Sequence, residues 1–149
     1  MLNHYSTFYI ENHLYGIDAM FVQEITNALP TTIVPLAPKF IHGLINLRGQ
    51  IATAVGLREL FDLAPVQTAQ TGSGESTMSV VCRKDGMLLS LVVDRIGDVI
   101  EVPQDHFETP PDTISPAVGR FMTGVYKMPS SLLSLLEVSR IIEAINKNT

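Results

Sequence analysis

The sequence has one cysteine, Cys82, and no tryptophan. A single thiol cannot close an internal disulfide or assemble a cysteine-based zinc site, and it fits a reducing compartment. Charge is also scarce: Asp, Glu, Lys and Arg make up 17% of the chain, against roughly 25% in average usage, while apolar residues reach 46%. That balance leaves apolar residues for contact surfaces as well as for a core. The net charge is -5 and the ten Lys and Arg residues are scattered, so no phosphate-tracking surface is expected and nucleic acid is excluded as a partner. No run approaches the roughly 18 apolar residues of a membrane span, and Met1–Ile10 (MLNHYSTFYI) lacks the basic-then-apolar order of a targeting segment. These absences predict a cytoplasmic protein with no direct membrane insertion.

The groups that chemistry needs are missing as constellations. His4, His13, His42 and His106 have no two members at metal-ligand spacing, so each reads as a surface or turn residue and no metal is expected. Gly72, Ser73 and Gly74 lack the Lys-Ser/Thr that completes a phosphate loop, and no G-x-S-x-G elbow occurs. Asp94 and Asp98 are four apart, which on a strand places them about 13 Å from each other, too far for a paired-carboxylate mechanism. Cys82 follows Val80 and Val81 and reads as a core residue.

What is present is a series of short β-prone runs. Phe8–Asp18 (FYIENHLYGID) holds two around the turn Glu11, Asn12, His13. Thr31–Leu36 is another, placed at an edge by Pro35, which cannot donate to a ladder. Gly43–Leu57 gives two more, separated at Arg48, Gly49 and Gln50. Met78–Cys82 and Met87–Val93 flank Arg83–Gly86 (RKDG), whose Asp-Gly pair marks a hairpin. Arg95–Val102 alternates apolar and polar positions, and Phe121–Tyr126 with Ser131–Leu136 makes a last strand pair. Leu63–Thr77, rich in Ala, Thr, Gln, Ser and Gly, reads as a flexible connection, and Gln104–Ala117, with Pro110, Pro111 and Pro116, as a long loop. Glu137–Asn146 sets Val138, Ile141, Ile142 and Ile145 on one helical face. The expectation is an all-β protein with a C-terminal helix and two barrel-like halves.

Pro35–Leu60, PLAPKFIHGLINLRGQIATAVGLREL, resembles the CheW-like coupling domains of bacterial chemotaxis, in which an A-P turn leads through a Gly into I-N-L-R-G, a strand and an L-R pair. FYIENHLYGIDAMFVQEI is similar to the family's opening hairpin and its V-x-E-I segment, here Val22–Ile25. LVVDRIGDV, at Leu91–Val99, resembles its V-V-D strand pair, and SLLSLLEVSRII its last strand and helix. Two positions depart: where the family carries a Pro, and then an Asp before L-R, this chain has Thr53 and Gly56.

The resemblance implies one domain over residues 1–149, made of two SH3-like five-stranded β-barrel subdomains packed around a shared core. The expected boundaries are roughly 17–76 for the first barrel and 1–16 plus 77–149 for the second. It also implies a non-catalytic adaptor without cofactor, recruited to receptor arrays at the inner membrane. The groove between barrels would take a chemoreceptor's cytoplasmic signalling tip, and a barrel end the regulatory domain of a CheA-type histidine kinase. The partner-binding residues so implied are Val22, Glu24, Gly43, Asn46, Arg48, Gly49, Val93, Asp94 and Gly124. Glu24 and Arg48 are expected to pair at the rim of that surface, Val22 to be an exposed apolar contact, Asp94 to cap the turn before Ile96, and Gly124 to lie near the groove or at a strand bend. Three alternatives compete: an adaptor of a type IV pilus or other chemosensory pathway, an enzyme whose site the motifs miss, and a self-associating structural β-protein.

Overall fold

A computed structural model describes residues 2–63, 77–103 and 105–147. Apart from its two end residues, the connection expected at Leu63–Thr77 lies outside the described residues. The elements are β1 (Leu2–Ile10), β2 (His13–Asp18), a 3-10 turn (Ala19–Phe21), β3 (Val22–Asn27), β4 (Ile41–Leu47), β5 (Gln50–Gly56) and the single-turn α1 (Leu57–Leu60). Then come β6 (Met78–Lys84), β7 (Met87–Val93), β8 (Arg95–Pro103), the short α2 (Pro116–Gly119), β9 (Met122–Lys127), β10 (Leu132–Leu136) and α3 (Val138–Lys147).

Turn chemistry sets the hairpins. Arg48 and Gly49 have φ of 51° and 85° between the paired Leu47 and Gln50, and Asp85 and Gly86 have 52° and 77° between Lys84 and Met87. Positive φ at both central residues gives a two-residue turn whose twist matches the strands it joins. Thr31–Leu36 does not form the expected edge strand. Only the isolated pair Thr32 and Leu44 forms there, and the chain then turns at Leu36 with φ of 65°.

The strands form two sheets of five, ordered β8-β1-β2-β10-β9 and β3-β6-β7-β5-β4, with parallel pairs β10–β2 and β5–β7 among antiparallel ones. The expected boundary at residue 77 is therefore corrected. β6 and β7 belong with β3, β4 and β5, and the chain crosses to the other sheet between Val93 and Arg95. The polar stretch that suggested a boundary instead connects α1 to β6 within one subdomain, because β7 finds its second partner in the distant β5 rather than in its sequence neighbour β8.

Three apolar clusters explain this arrangement. Ile45, Leu47, Ala52, Ala54, Val81 and Leu88 fill the inside of one sheet, and Tyr5, Leu14, Val102, Leu133 and Leu135 the inside of the other. The opposite faces of both sheets share the largest cluster, which includes Phe8, Ile17, Val55, Val80, Leu89, Leu91 and Val125. Alternation along β7 sends Leu89, Leu91 and Val93 to the shared core and Leu88 and Ser90 to the sheet's own interior. In that interior the Ser79 and Ser90 hydroxyls, both buried, bond each other. Helix α3 adds Val138, Ile141, Ile142 and Ile145 to the shared core, as their 3.6-residue spacing predicts. Four rings cross this core: Phe8 lies 6.3 Å from Tyr15, Tyr15 lies 5.3 Å from Phe61, and Phe61 lies 6.0 Å from Phe121. Cys82 is fully buried, and burial pushes its thiol up to about 12, as an inert core residue requires.

At the start of α3, the Lys84 ammonium donates to Glu137 Oε1 at 2.5 Å, and the Ser139 N–H reaches the same oxygen at 3.3 Å. Burial raises the Glu137 carboxyl, but these bonds together outweigh it and hold the group below its ordinary 4.5.

Two measurements check this packing. Phe61→Ala should cost about 3–5 kcal/mol in urea unfolding, because it opens a cavity between sheets, and the transition should stay single by circular dichroism and tyrosine fluorescence. A depressed carboxylate stabilises the fold above its unfolded pKa and loses that contribution as pH falls through the folded value. Glu137→Gln should therefore cost up to about 1 kcal/mol at pH 7, with the difference from the parent vanishing once the pH is taken well below 4.5.

Candidate functional site

β3 and β4 are the two margins of their sheet, joined to no common neighbour by backbone bonds. Side chains join them at one end. Arg48, in the β4–β5 turn, donates from Nη1 to Glu24 Oε1 at 2.6 Å and from Nη2 to Glu24 Oε2 at 3.0 Å, a two-pronged bond to β3. The Glu24 side chain is 21% exposed and that of Arg48 75%, so the carboxylate is sheltered and the guanidinium faces solvent. Its remaining donors are free for hydrogen bonding outward. Asn46 Oδ1 accepts from the Gly49 N–H at 2.9 Å, which pins the turn and hence the base of Arg48. Beside it, Arg83 on β6 donates from Nε to Gln23 Oε1 at 3.3 Å and from Nη2 to Gln50 Oε1. The expected Glu24–Arg48 pair is thus present, inside a polar network spanning β3, β5 and β6.

Apolar groups border this network. Leu44 and Asn46 share a face of β4, and Ile51 pairs opposite Asn46, leaving Leu44 and Ile51 exposed beside the turn. Val22, expected to be the exposed contact, is half-buried and packs against the shared core. The open apolar residue of β3 is Ile25.

Three other expected contact residues are interior. Val93 is 1% exposed and belongs to the shared core, because the alternation of β7 turns it inward. Gly43 and Gly124 are buried where another chain passes close. A Cβ on Gly43 would collide with the Thr32 carbonyl, and one on Gly124 would stand 2.8 Å from the Glu108 oxygen. Both glycines admit a neighbouring backbone and offer a partner nothing.

Asp94 works differently from the expected turn cap. Its Oδ2 accepts from the Glu11 N–H at 2.6 Å, and its carboxylate takes Arg58 Nε at 2.9 Å and Nη2 at 2.7 Å. Arg58 Nη1 also lies 3.6 Å from Glu11 Oε2. The Asp94 bond, ahead of the opposing cost of burial, raises the Arg58 pKa. Since Glu11 is in the β1–β2 turn and Arg58 in α1, this cluster fastens one subdomain to the other at the far end from Arg48. Nearby, His42 Nε2 meets Glu59 Oε1 at 2.7 Å directly over Gly56, where any side chain would collide with both. That contact accounts for a glycine at this position of the L-R motif. Arg58, Glu11, His42, Glu59 and Arg83 are the residues that sequence reading missed; the L-R pair was visible, but its partners are distant in the chain.

Among the described residues no helix is long and apolar enough to cross a membrane, and no group of acidic, histidine and cysteine side chains could hold a metal.

The chain is similar in sequence and fold to known proteins. The family model described as CheW-like domain matches residues 4–146. The chemotaxis protein CheW of Treponema pallidum is 30% identical over 138 residues, covering 93% of this chain and 81% of that protein. The chemotaxis protein CheW of Klebsiella aerogenes is 28% identical over 139 residues, covering 92% and 80%. The crystal structure of the scaffolding protein TtCheW from Thermoanaerobacter tengcongensis superposes with a TM-score of 0.78 at 25% identity, covering 93% of this chain and 86% of that one. With the paired SH3-like subdomains, the shared core and a match over nearly its whole length, the chain belongs to the CheW-like domain family.

Proposed function

We propose that this protein is a non-catalytic adaptor that couples chemoreceptors to a CheA-type histidine kinase. The observation that carries the reading is the Arg48–Glu24 bond at the open end of the β3–β7 sheet, with the guanidinium turned to solvent and Leu44, Ile51 and Ile25 exposed on the neighbouring strands. A rigid cation among apolar side chains is a surface for another protein, since the apolar groups supply area and the guanidinium supplies direction. Glu24 holds the arginine in one orientation and so spares part of the entropy of binding. The kinase's regulatory domain is assigned to this end. The receptor tip is assigned to the groove between subdomains, whose walls the Asp94–Arg58–Glu11 cluster fixes relative to each other. Contacts of this size give micromolar affinity, and an array of them supplies the avidity.

Titration of this protein with the regulatory domain of a CheA-type kinase from the same genome should give a Kd of about 1–100 μM. Arg48→Glu, which both breaks the bond and reverses the exposed charge, should weaken binding at least about tenfold, or 1.4 kcal/mol, in a variant that still unfolds cooperatively. No binding by the parent protein would overturn the coupling role; unchanged binding by the variant would overturn the assignment of the kinase to this end.

Binding to the receptor tip should respond to the other end. Arg58→Ala loosens the tie between subdomains and leaves Arg48 untouched, so it should weaken receptor-tip binding at least about threefold with kinase binding unchanged. Equal losses for both partners would overturn the division of labour.

A further inference from the structure

Among the described residues, four of the ten basic side chains are bound to carboxylates: Arg48 to Glu24, Arg58 to Asp94, Lys84 to Glu137 and Lys127 to Glu108. Arg120, Arg140 and Lys147 have no such partner among the described residues, and all three line one open cleft of about 330 Å³. Its walls are α3, the chain entering β9, and Phe40 ahead of β4. The Arg120 guanidinium lies 4.7 Å from the centre of the Phe121 ring, within cation–π range. Arg140 is anchored from Nη1 by the Met122 carbonyl and keeps its other donors. Lys147 ends α3, and Glu143, one turn earlier, is the lone carboxylate of the lining among the described residues. Among the described residues, three cations against one anion make this lining positive in a chain whose net charge is -5. Phe40, Phe121 and Ala144 supply its apolar surface.

We infer that this cleft is a second protein-docking surface, built for an acidic peptide segment of a partner, with a carboxylate between Arg120 and Lys147 and an apolar side chain against Phe40. Charge complementarity and size select this occupant. The space accepts one or two side chains, and the mixed aromatic and cationic lining matches an acidic residue next to an apolar one. An anionic membrane fits poorly: basic clusters that hold lipid surfaces carry about 4–8 cations, and the remaining negative charge of this chain would be repelled. The cleft is separate from the Arg48 surface, because Phe40 and Arg48 stand at opposite ends of β4, roughly 25 Å apart at the rise of an extended strand. The inference therefore does not rest on which partner binds at Arg48.

The test uses a labelled hexapeptide, EELFEE, its uncharged counterpart QQLFQQ, and vesicles containing one-third anionic lipid. The parent protein should bind EELFEE below about 1 mM at low salt, lose at least about fivefold in affinity at 0.3 M salt, and bind QQLFQQ at least about tenfold more weakly. Arg120→Glu combined with Lys147→Glu should abolish EELFEE binding, and Arg48→Glu should leave it unchanged. Both substituted residues are exposed, and Lys147→Glu alone, in the last turn of α3, serves if the double variant fails to fold. Equal affinity for QQLFQQ, binding indifferent to the charge reversal, no binding of EELFEE, or retention on vesicles only would each overturn the proposal.

Discussion

Phe8, Ile17, Val55, Leu91, Ile141 and their neighbours bury between the two sheets what neither sheet can bury inside itself. Among the described residues the shared cluster has 22 buried members, while the interiors of the separate sheets have six and five. An interior of five or six side chains is far below what a small domain needs to offset the entropy of ordering its chain. The subdomains therefore stand or fall together. Helix α3 belongs to the same constraint: its apolar stripe, Val138, Ile141, Ile142 and Ile145, is buried in this shared cluster.

On that foundation, polar contacts set the geometry at each end of the β3–β7 sheet. At one end Glu24, Arg48, Asn46 and Arg83 link strand margins and turn. At the other, Asp94, Arg58 and Glu11 link the two subdomains, with His42 and Glu59 alongside. These bonds lie at or near the surface, where each contributes little to stability, so their main effect is on shape. A scaffold works by holding surfaces at fixed distances, and this division of tasks suits it: the apolar core keeps the chain folded, and the charged ties decide how its faces are presented.

The local parts of this design were legible in the sequence. Asp85-Gly86 announces a two-residue turn because few pairs accept positive φ twice, a tight turn was expected at Arg48, Gly49 and Gln50, and the apolar spacing of Val138, Ile141, Ile142 and Ile145 is that of a half-buried helix. The bond between Glu24 and Arg48 was expected from two motifs far apart in the chain. What stayed hidden is non-local. The pairing of β7 with β5 has no turn to advertise it, so the subdomain boundary was placed at a polar stretch instead of after Val93. Val22, Val93, Gly43 and Gly124 carry family motifs, but a motif does not say which face of a strand it marks, and here packing rather than contact explains them. Asp94 showed its charge but not its partners, which come from a turn and a helix that only the fold brings together.

The placement of Arg48 across the two margins of its sheet has a further consequence. A strand margin with unpaired N–H and C=O groups is a template for addition of a foreign strand, and proteins guard such margins with charge and with close cover. β3 and β4 are both margins of this kind, each carrying exposed apolar side chains, Ile25 on one and Leu44 on the other. The arginine that bridges them acts as a clasp over this seam. It places charge and close side-chain cover over edges that would otherwise offer their backbone groups to a foreign strand.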